Sequence, residues 1–298
     1  MPDISVVIPT HNRLETLQHV IPSLLAQTLA PQKYEILVAD SLSSDGTAEY
    51  LTSQKGDGPR VRHLPGAYTG RAAARNAGIN AARGEVVLFN DADIIASPNL
   101  LEVHAACHRR AERIAIVGLE VQVRDLHDYR RKRDHSELRN PLHKPTRSKL
   151  SWLYFLTGNA SVRRAHLLAA GSFDESFTGY GHEDLELGYR LEKWGVTIGY
   201  EPRAVSYHLQ DVPHEDQVEK MKLAGKSTVR FYRKHPHFSV MARLGMTPVS
   251  LGLHGLLTRA PWLLGYFDRR AGNSAFARNL LQQYYYVSGI KAALGEKS

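Results

Sequence analysis

Short apolar runs alternate with helical patterns over residues 4–89, and this alternation constrains the fold more than any other feature of the sequence. The runs ISVVI, EILVA, RVRHL and EVVLF, at residues 4–8, 35–39, 60–64 and 85–89, are predicted strands. Between them, segments 14–25 and 71–82 have the pattern of helices. Strands and helices in alternation predict an α/β fold with a mostly parallel, doubly wound sheet flanked by helices.

Length, charge and cysteine content narrow the class of protein. A chain of 298 residues with 43% hydrophobic and 23% charged residues is long enough to bury one large core. The formal net charge of +8 favours an anionic partner, such as nucleic acid, a membrane surface or a phosphorylated ligand. The single cysteine, Cys107, excludes an intramolecular disulfide and suits a reducing compartment. The start MPDISVVIPT has no signal-peptide pattern and no segment reads as a membrane span, so a cytoplasmic location is expected.

Acidic residues follow two of the predicted strands. Ligands of doubly wound sheets bind beyond the carboxyl ends of the strands, so PTHNR, Asp40 and the segment after Phe89 are expected to converge. Asp91 and Asp93 form a D-x-D motif after the fourth strand, and two carboxylates so spaced can hold Mg²⁺ or Mn²⁺ against phosphate oxygens. The tripeptide alone has low specificity, and its position at the end of a strand is what favours a metal site.

A second acidic pair opens a predicted helix over residues 183–194, in which Leu187, Leu191 and Trp194 recur at helical spacing. Within the stretch FTGYGHEDLELGYRLEKWG, Glu183 and Asp184 stand in the first turn. Acids in this position are stabilised by the positive end of the helix dipole whether or not they have a function. The segment by itself therefore leaves a structural and a catalytic interpretation open.

Six segments in order resemble the inverting family 2 glycosyltransferases of the GT-A fold, over about residues 1–210. They are VVIPTHNR, VADSLSSDGT, GRAAARNAGINAARGEVVLFNDAD, TGNASVRR, GSFDESF and GYGHEDLELGYRL. The last also resembles the acceptor and base motif of the β-1,4-galactosyltransferase and bacterial polysaccharide galactosaminyltransferase group. The resemblance implies a Rossmann-like GT-A domain that transfers a sugar from a UDP-sugar, with Mn²⁺ or Mg²⁺, to a glycan or lipid-linked saccharide.

The resemblance also assigns roles to residues. Those matched to the donor nucleotide site are Pro9, Thr10, Arg13, Asp40, Arg71, Arg75, Asn76 and Asp91. Asp40 matches the acid that hydrogen-bonds uracil, although Ser41 and Leu42 replace the acid or Asn and the Gly that most relatives have next. Those matched to the metal are Asp91, Asp93 and His208. A lone histidine among 15 is equally compatible with a structural position.

Asp184 matches the base that takes the proton of the acceptor hydroxyl. The helix dipole is expected to keep its carboxylate ionised. The candidate acceptor contacts are Glu183, Asn159 and Trp152. For Asn159 and Trp152, a turn or a buried core position explains the residue nearly as well.

We expect a glycosyltransferase domain over 1–235, with a nucleotide-binding half at 1–105 and an acceptor-binding half at 106–235, and then a C-terminal helical extension at 236–298. The segment 124–149, dense in Arg, Lys and His, is predicted to be a solvated, mobile excursion. The apolar, basic extension either meets the inner face of the membrane peripherally, completes the core, or forms a dimer contact.

Two other classes of function fit less well. A nucleotidyltransferase would need a glycine-rich phosphate loop where PTHNR stands. Nucleic acid is not an expected partner, because YRRKR at 129–133 lacks interleaved aromatic residues and no DNA- or RNA-binding motif is present. The remaining alternative is a basic-surface binding protein for nucleic acid or anionic glycans, without transferase activity, and the presence of Asp91, Asp93 and Asp184 argues against it.

Overall fold

The computed structural model describes residues 2–54, 60–139, 145, 148–209, 214–272 and 274–295. Contacts divide the chain into two units, which are described in turn. The first comprises Met1–Thr178 and Glu183–Asp211, and the second comprises Gly179–His182 and Val212–Ser298.

The first unit contains one mixed sheet, whose strands follow in chain order. They are β1 (Ile4–Thr10), β2 (Tyr34–Asp40), β3 (Arg60–Pro65), β4 (Val86–Asn90), β5 (Ile94–Ala96), β6 (Ile114–Val123), β7 (Lys149–Leu150), β8 (Asn159–Arg163) and β9 (Thr197–Leu209). The order is β3-β2-β1-β4-β8-β6-β9-β5, with β7 paired to β9. Strands β3, β2, β1 and β4 are parallel. Strand β8 is antiparallel to both neighbours, and β9 is parallel to β6.

Helices flank this sheet, and those that begin at Leu14, Gly70 and Glu183 lie where the sequence pattern predicts them. They are α1 (Leu14–Leu25), α2 (Thr47–Ser53), α3 (Gly70–Ala81), α4 (Leu100–Arg110), α5 (Leu126–Asp134), α6 (Arg164–Ala169) and α7 (Glu183–Lys193). Helix α1 buries the stripe Leu17, Ile21 and Leu24, and each such side chain contributes about 1.5–3 kcal/mol of transfer free energy. Helix α3 approaches β1 closely, because a Cβ on Gly78 would overlap Val7. The predicted α/β architecture with a mostly parallel sheet is confirmed.

The basic segment 124–149 is more ordered than its composition predicts. Asp125 caps α5 by accepting from the backbone N–H of Asp128. The buried Asp128 carboxylate pairs with Lys132 at 2.9 Å and Arg131 at 3.1 Å. Tyr129 packs edge-to-face on Tyr207 of β9, with ring centroids 5.1 Å apart. The prediction of a mobile excursion is therefore wrong for residues 126–134, while residues 140–144 and 146–147 lie outside the described part.

The second unit is helical. Its helices are α8 (His214–Lys234), α9 (Phe238–Arg243), α10 (Pro248–Thr258), α11 (Pro261–Asp268) and α12 (Ala275–Gly295). Helices α8 and α12 cross at two glycines, since a Cβ on Gly225 would overlap the carbonyl of Tyr286 and one on Gly289 that of Lys222. Because of this contact α8 belongs with the C-terminal helices, although the sequence analysis grouped it with the transferase domain. Among the described residues, no helix has the length and hydropathy needed to cross a bilayer.

A short loop, residues 179–182, belongs to this helical unit although it immediately precedes α7 in the chain. Gly181 and His182 have left-handed backbones, with φ of 88° and 73°. The imidazole Nε2 of His182 lies 2.8 Å from the Thr228 hydroxyl on α8, and Ser227 donates to the Tyr180 carbonyl. These bonds fix the loop that leads to Glu183.

Candidate active site

Arg75 is the centre of an acidic cluster in the first unit. It comes from α3, is almost completely buried, and donates to Asp91 at 2.8 Å and to Glu183 at 2.9 Å. The ring of Phe173 lies 5.5 Å from its guanidinium carbon. Burial alone would lower the pKa of Arg75, but the carboxylates of Asp91 and Glu183 raise it above its usual range. One fixed cation therefore joins the D-x-D motif after β4 to the first turn of α7.

Asp91 is ionised in this arrangement. Burial would raise the pKa of its carboxyl group, but the charges of Arg75 and Arg71 hold that pKa below its usual value. Arg71 lies on the exposed side of α3, one turn before Arg75. The predicted donor residues Arg71, Arg75 and Asp91 are thus brought together.

Asp184 is the partly exposed acid beside this cluster, and its carboxylate accepts from the backbone N–H of Leu185 at 2.8 Å. Burial and the adjacent Glu183 charge raise the pKa of Asp184 to about 7, against the lowering effect of Arg75. The expectation that the helix dipole keeps this group fully ionised is therefore corrected: desolvation and a like charge outweigh the dipole. A carboxyl group with a pKa near neutrality can accept a proton.

Glu183 is buried, and one carboxylate oxygen is bonded to Arg75. Its other oxygen, Oε2, and the Nε of Arg75 are buried without a hydrogen-bond partner among the described residues. Unpaired buried polar atoms are costly, so their presence at one point is typical of a site that a ligand completes. Contact of Glu183 with an acceptor stays a prediction, since its observed partner is Arg75.

Asp93 and His208 lie side by side, because β5 pairs with β9 and sets Ile94 opposite His208. The His208 Nε2 is 3.5 Å from Asp93, and its Nδ1 is 2.8 Å from Glu120 on β6. Burial would lower the pKa of His208, but hydrogen bonds to Asp93 and Glu120 raise it to about 10. Both ring nitrogens of His208 therefore face carboxyl groups, an arrangement that favours the protonated imidazole.

Of the three residues predicted to hold a metal, the structure places two, Asp93 and His208, beside each other. Asp93 and His208 are adjacent and partly exposed, whereas the Asp91 carboxylate is bonded to Arg75. Among the described residues no group of three or more His, Cys, Asp or Glu side chains is arranged to hold a metal ion. Two protein ligands still fit Mg²⁺ or Mn²⁺, because these ions accept phosphate oxygens for the rest of their coordination shell. Ligation by His208 would require loss of its proton.

The residues predicted to bind the nucleotide base form a second cluster, at the ends of β1 and β2. Asp40 is 1% exposed, accepts from the backbone N–H and hydroxyl of Ser43 at 3.0 and 2.5 Å, and meets His63 Nε2 at 2.9 Å. Thr10 is buried, and its hydroxyl has no hydrogen-bond partner in the part of the chain that the structure describes. Pro9 is partly buried and Arg13 is exposed. The carboxyl ends of β1 and β2 therefore meet as predicted.

Three predicted site residues are fully engaged elsewhere. Asn76 bonds the backbone of Phe173 in both directions, at 2.9 Å, and so anchors a loop. Asn159 is buried, with its carbonyl facing His104 at 2.9 Å and its amide donating to the Ala204 carbonyl and Ser206.

Trp152 is buried edge-to-face on Tyr189 of α7, with ring centroids 5.7 Å apart. Its backbone N–H donates to the carboxylate of Glu192 on the same helix. Core packing accounts for Trp152, and buried hydrogen bonds account for the amide of Asn159, so an acceptor role for either stays a prediction.

Two residues of the clusters escaped the sequence analysis. His63 lies on β3, in register with Val38, so it shares with Asp40 the face of the sheet set by strand alternation. The alternation of side chains along β3 was the sequence signal that could have identified His63. Glu120 reaches His208 only because β6 pairs with β9, a pairing that no local pattern indicates.

The mixed sheet flanked by helices has the GT-A fold of known structures. The structure of the mannosyltransferase PcManGT from Pyrobaculum calidifontis, in complex with GDP-Man and Mn²⁺, superposes with a TM-score of 0.66 at 18% identity, covering 100% of this chain and 88% of that one. S. aureus TarS 1-349 in complex with UDP gives a TM-score of 0.60 at 18% identity, covering 98% and 90%. At such identities the likeness shows the fold.

Residues 5–170 match the family described as Glycosyl transferase family 2. The chain belongs to this family. A validoxylamine A glucosyltransferase of Streptomyces hygroscopicus subsp. limoneus is 29% identical over 290 residues, covering 86% of this chain and 61% of the relative. The uncharacterized glycosyltransferase YfnE of Bacillus subtilis is 28% identical over 251 residues, covering 68% and 64%. The chain thus spans about three fifths of the length of these relatives.

Proposed function

We propose that this chain is an inverting glycosyltransferase that moves a sugar from a UDP-sugar to a glycan or lipid-linked saccharide, in polysaccharide synthesis at the cell envelope. The observation that carries the proposal is the buried Arg75, which joins the D-x-D acid Asp91 to Glu183 and so holds Asp184 next to the donor motif. Such a constellation suits single displacement, in which no covalent nucleophile is required.

In the proposed reaction, the acceptor hydroxyl attacks the anomeric carbon as the bond from that carbon to the diphosphate breaks. Asp184 takes the hydroxyl proton, and its raised pKa matches the demand on a base at neutral pH. Arg75 and Glu183 are positioning residues, which set the start of α7 against the D-x-D loop.

Asp93 and His208, with Asp91, would hold Mn²⁺ or Mg²⁺, and the bound ion would offset negative charge on the departing diphosphate. The exposed Arg13 and Arg71, at the starts of α1 and α3, would share that role.

The donor is proposed to be UDP-linked because Asp40 can accept from the uracil ring through the oxygen that also meets His63. The structural relatives have been solved with UDP, UDP-GlcNAc and GDP-Man. We assign residues 1–105 to nucleotide binding and the following part of the first unit to the acceptor. A cytoplasmic enzyme working at the inner face of the membrane suits a lipid-linked acceptor.

The test is nucleotide release from a panel of UDP-, GDP- and dTDP-sugars, with Mn²⁺, Mg²⁺ or EDTA. Slow donor hydrolysis requires no knowledge of the acceptor. We expect one UDP-sugar to be turned over only with metal, and Asp93→Ala and Asp184→Asn each to lose activity. The proposal fails if no nucleotide sugar is bound or cleaved, even with cell-extract glycans added.

A further inference from the structure

Helix α10 turns an apolar face outward. Val249, Leu253 and Leu256 lie on one side of the helix and are 80%, 54% and 65% exposed. The flank of the helix that carries His254 and Leu257 is buried. A helix on a protein surface normally presents charged and polar residues to water, so this orientation of apolar side chains requires a cover.

The neighbouring helix adds an aromatic side chain of the same kind. Helix α11 packs against α10, and Trp262 in its first turn is 74% exposed. Tryptophan is enriched at the boundary between lipid and water, because its ring is largely apolar and its N–H is polar. We call the exposed residues Val249, Leu253, Leu256 and Trp262 the apolar face.

Basic residues accompany the apolar face. Arg259 follows α10, and Arg269 and Arg270 follow α11, all three exposed. Lys and Arg balance Asp and Glu over residues 1–211, so the whole formal net charge of +8 is carried by residues 212–298. Within α11 itself, Asp268 is the single acidic residue. An apolar face beside excess positive charge complements a bilayer that contains anionic lipid.

We propose that α10 and α11 form a membrane-docking surface, with the apolar face inserted at the level of the lipid head groups and the arginines on anionic lipid. A second copy of the chain is a poorer occupant, since two surfaces of equal positive charge repel each other. Docking would bring the proposed transferase to a lipid-linked acceptor, but the binding itself does not depend on catalysis.

The experiment is flotation of the full chain with vesicles of equimolar phosphatidylcholine and phosphatidylglycerol, compared with pure phosphatidylcholine, at low and high salt. We expect flotation with the anionic vesicles, weakened by salt because charge attraction is screened. Vesicles with brominated acyl chains should quench the fluorescence of Trp262. Failure to float with anionic vesicles at low salt would overturn the proposal.

Two matched pairs of variants locate the surface. Leu253→Asn with Leu256→Asn should reduce vesicle binding at least about tenfold, whereas Leu138→Asn, at an exposed leucine of the first unit, should leave it unchanged. Trp262→Ala should reduce binding and abolish the quenching, whereas Trp194→Ala should do neither. Donor hydrolysis in solution should be unchanged in all four. Equal binding by both members of each pair, or a dimer in solution that Leu253→Asn dissociates, would overturn the proposal.

Discussion

At the residue scale, the candidate site depends on one buried cation between acids from two distant segments. Arg75 and Glu183 are 108 positions apart in sequence, and Arg75 and Asp91 are 16 apart. Removing one member of such a cluster leaves the others buried and unpaired, which costs more than the net value of the ion pair. Charges of the same cluster, those of Glu183 and Arg75, shift the pKa of Asp184. The pH dependence of the reaction rate therefore reports on the cluster.

We expect the rate of donor turnover to depend on pH through Asp184. A base with a pKa of about 7 is protonated below that pH, so kcat/KM should fall about tenfold per unit as the pH decreases below about 7. Glu183→Gln removes a charge that raises this pKa, so the acid limb should move to lower pH. Glu192→Gln, at an exposed acid of the same helix, is the control and should leave the limb in place.

Asp184→Asn should lower kcat by roughly 10²–10⁴-fold without unfolding the chain, which is the usual contribution of a general base. The pH–rate profile and circular dichroism are the measurements. An acid limb that stays unchanged in Glu183→Gln would show that another group titrates.

A second expectation at this scale concerns the Asp40 carboxylate. His63→Ala removes a hydrogen bond to this buried carboxylate, worth about 1.5–3 kcal/mol. The carboxylate of Asp40 should then lose the orientation in which it can accept from the uracil ring of the donor. We expect KM for the UDP-sugar to rise about tenfold or more with kcat nearly unchanged. His63→Gln, which can still donate, should recover part of the loss. A fall in kcat at constant KM would contradict this role.

At the element scale, the buried carboxylate of Asp128 stabilises helix α5 within a basic stretch of the sequence. Burial would raise the pKa of Asp128, but Lys132 and the backbone N–H of Arg124 lower it, so its ionised form is favoured by folding. The stabilisation from Asp128 is complete above the ordinary Asp pKa of about 3.9, and it is lost as the pH falls through the lower pKa of the folded state.

Asp128→Ala should therefore loosen α5 at neutral pH, by about 1–3 kcal/mol, because Lys132 and Arg131 lose their common partner. Hydrogen exchange of the amides in α5 is the measurement. Asp134→Ala, at an exposed aspartate that ends the same helix, is the matched control and should change exchange little. Equal protection in the two variants would show that Tyr129 packing alone holds the helix.

At the scale of the whole molecule, the helical unit depends on the close approach of α8 and α12 at two glycines. The Gly225 and Gly289 backbones touch the opposite helix directly, and a small buried set of Val229, Met246, Ile290 and Ala293 packs beside them. Side chains at these glycines would separate α8 from α12.

Gly225→Ala should destabilise this unit by several kcal/mol, because the added methyl overlaps a carbonyl of the facing helix and the overlap cannot be relieved by a rotamer change. Gly252→Ala, in α10 with open space around it, should instead stabilise by about 0.5–1 kcal/mol, since alanine favours helix. Chemical denaturation followed by circular dichroism measures both. A neutral Gly225→Ala would mean that the helices can move apart freely.

The sequence by itself determined the elements and their order. Apolar runs and helical spacing are local, so the first four strands, the helices α1 and α3, and the start of α7 follow from residues close in the chain. Acids at strand ends were likewise predictable, because parallel strands carry their carboxyl ends to one edge.

Only the tertiary structure decided which charges meet. The pairing of β6 with β9 brings Glu120 to His208, and the meeting of α3 with α7 puts Arg75 on Glu183. It also decided that Asp184 is desolvated enough for its pKa to rise, against the expectation from the helix dipole. These outcomes depend on contacts between residues far apart in sequence and on the exclusion of water around them, and neither quantity is encoded in a local pattern.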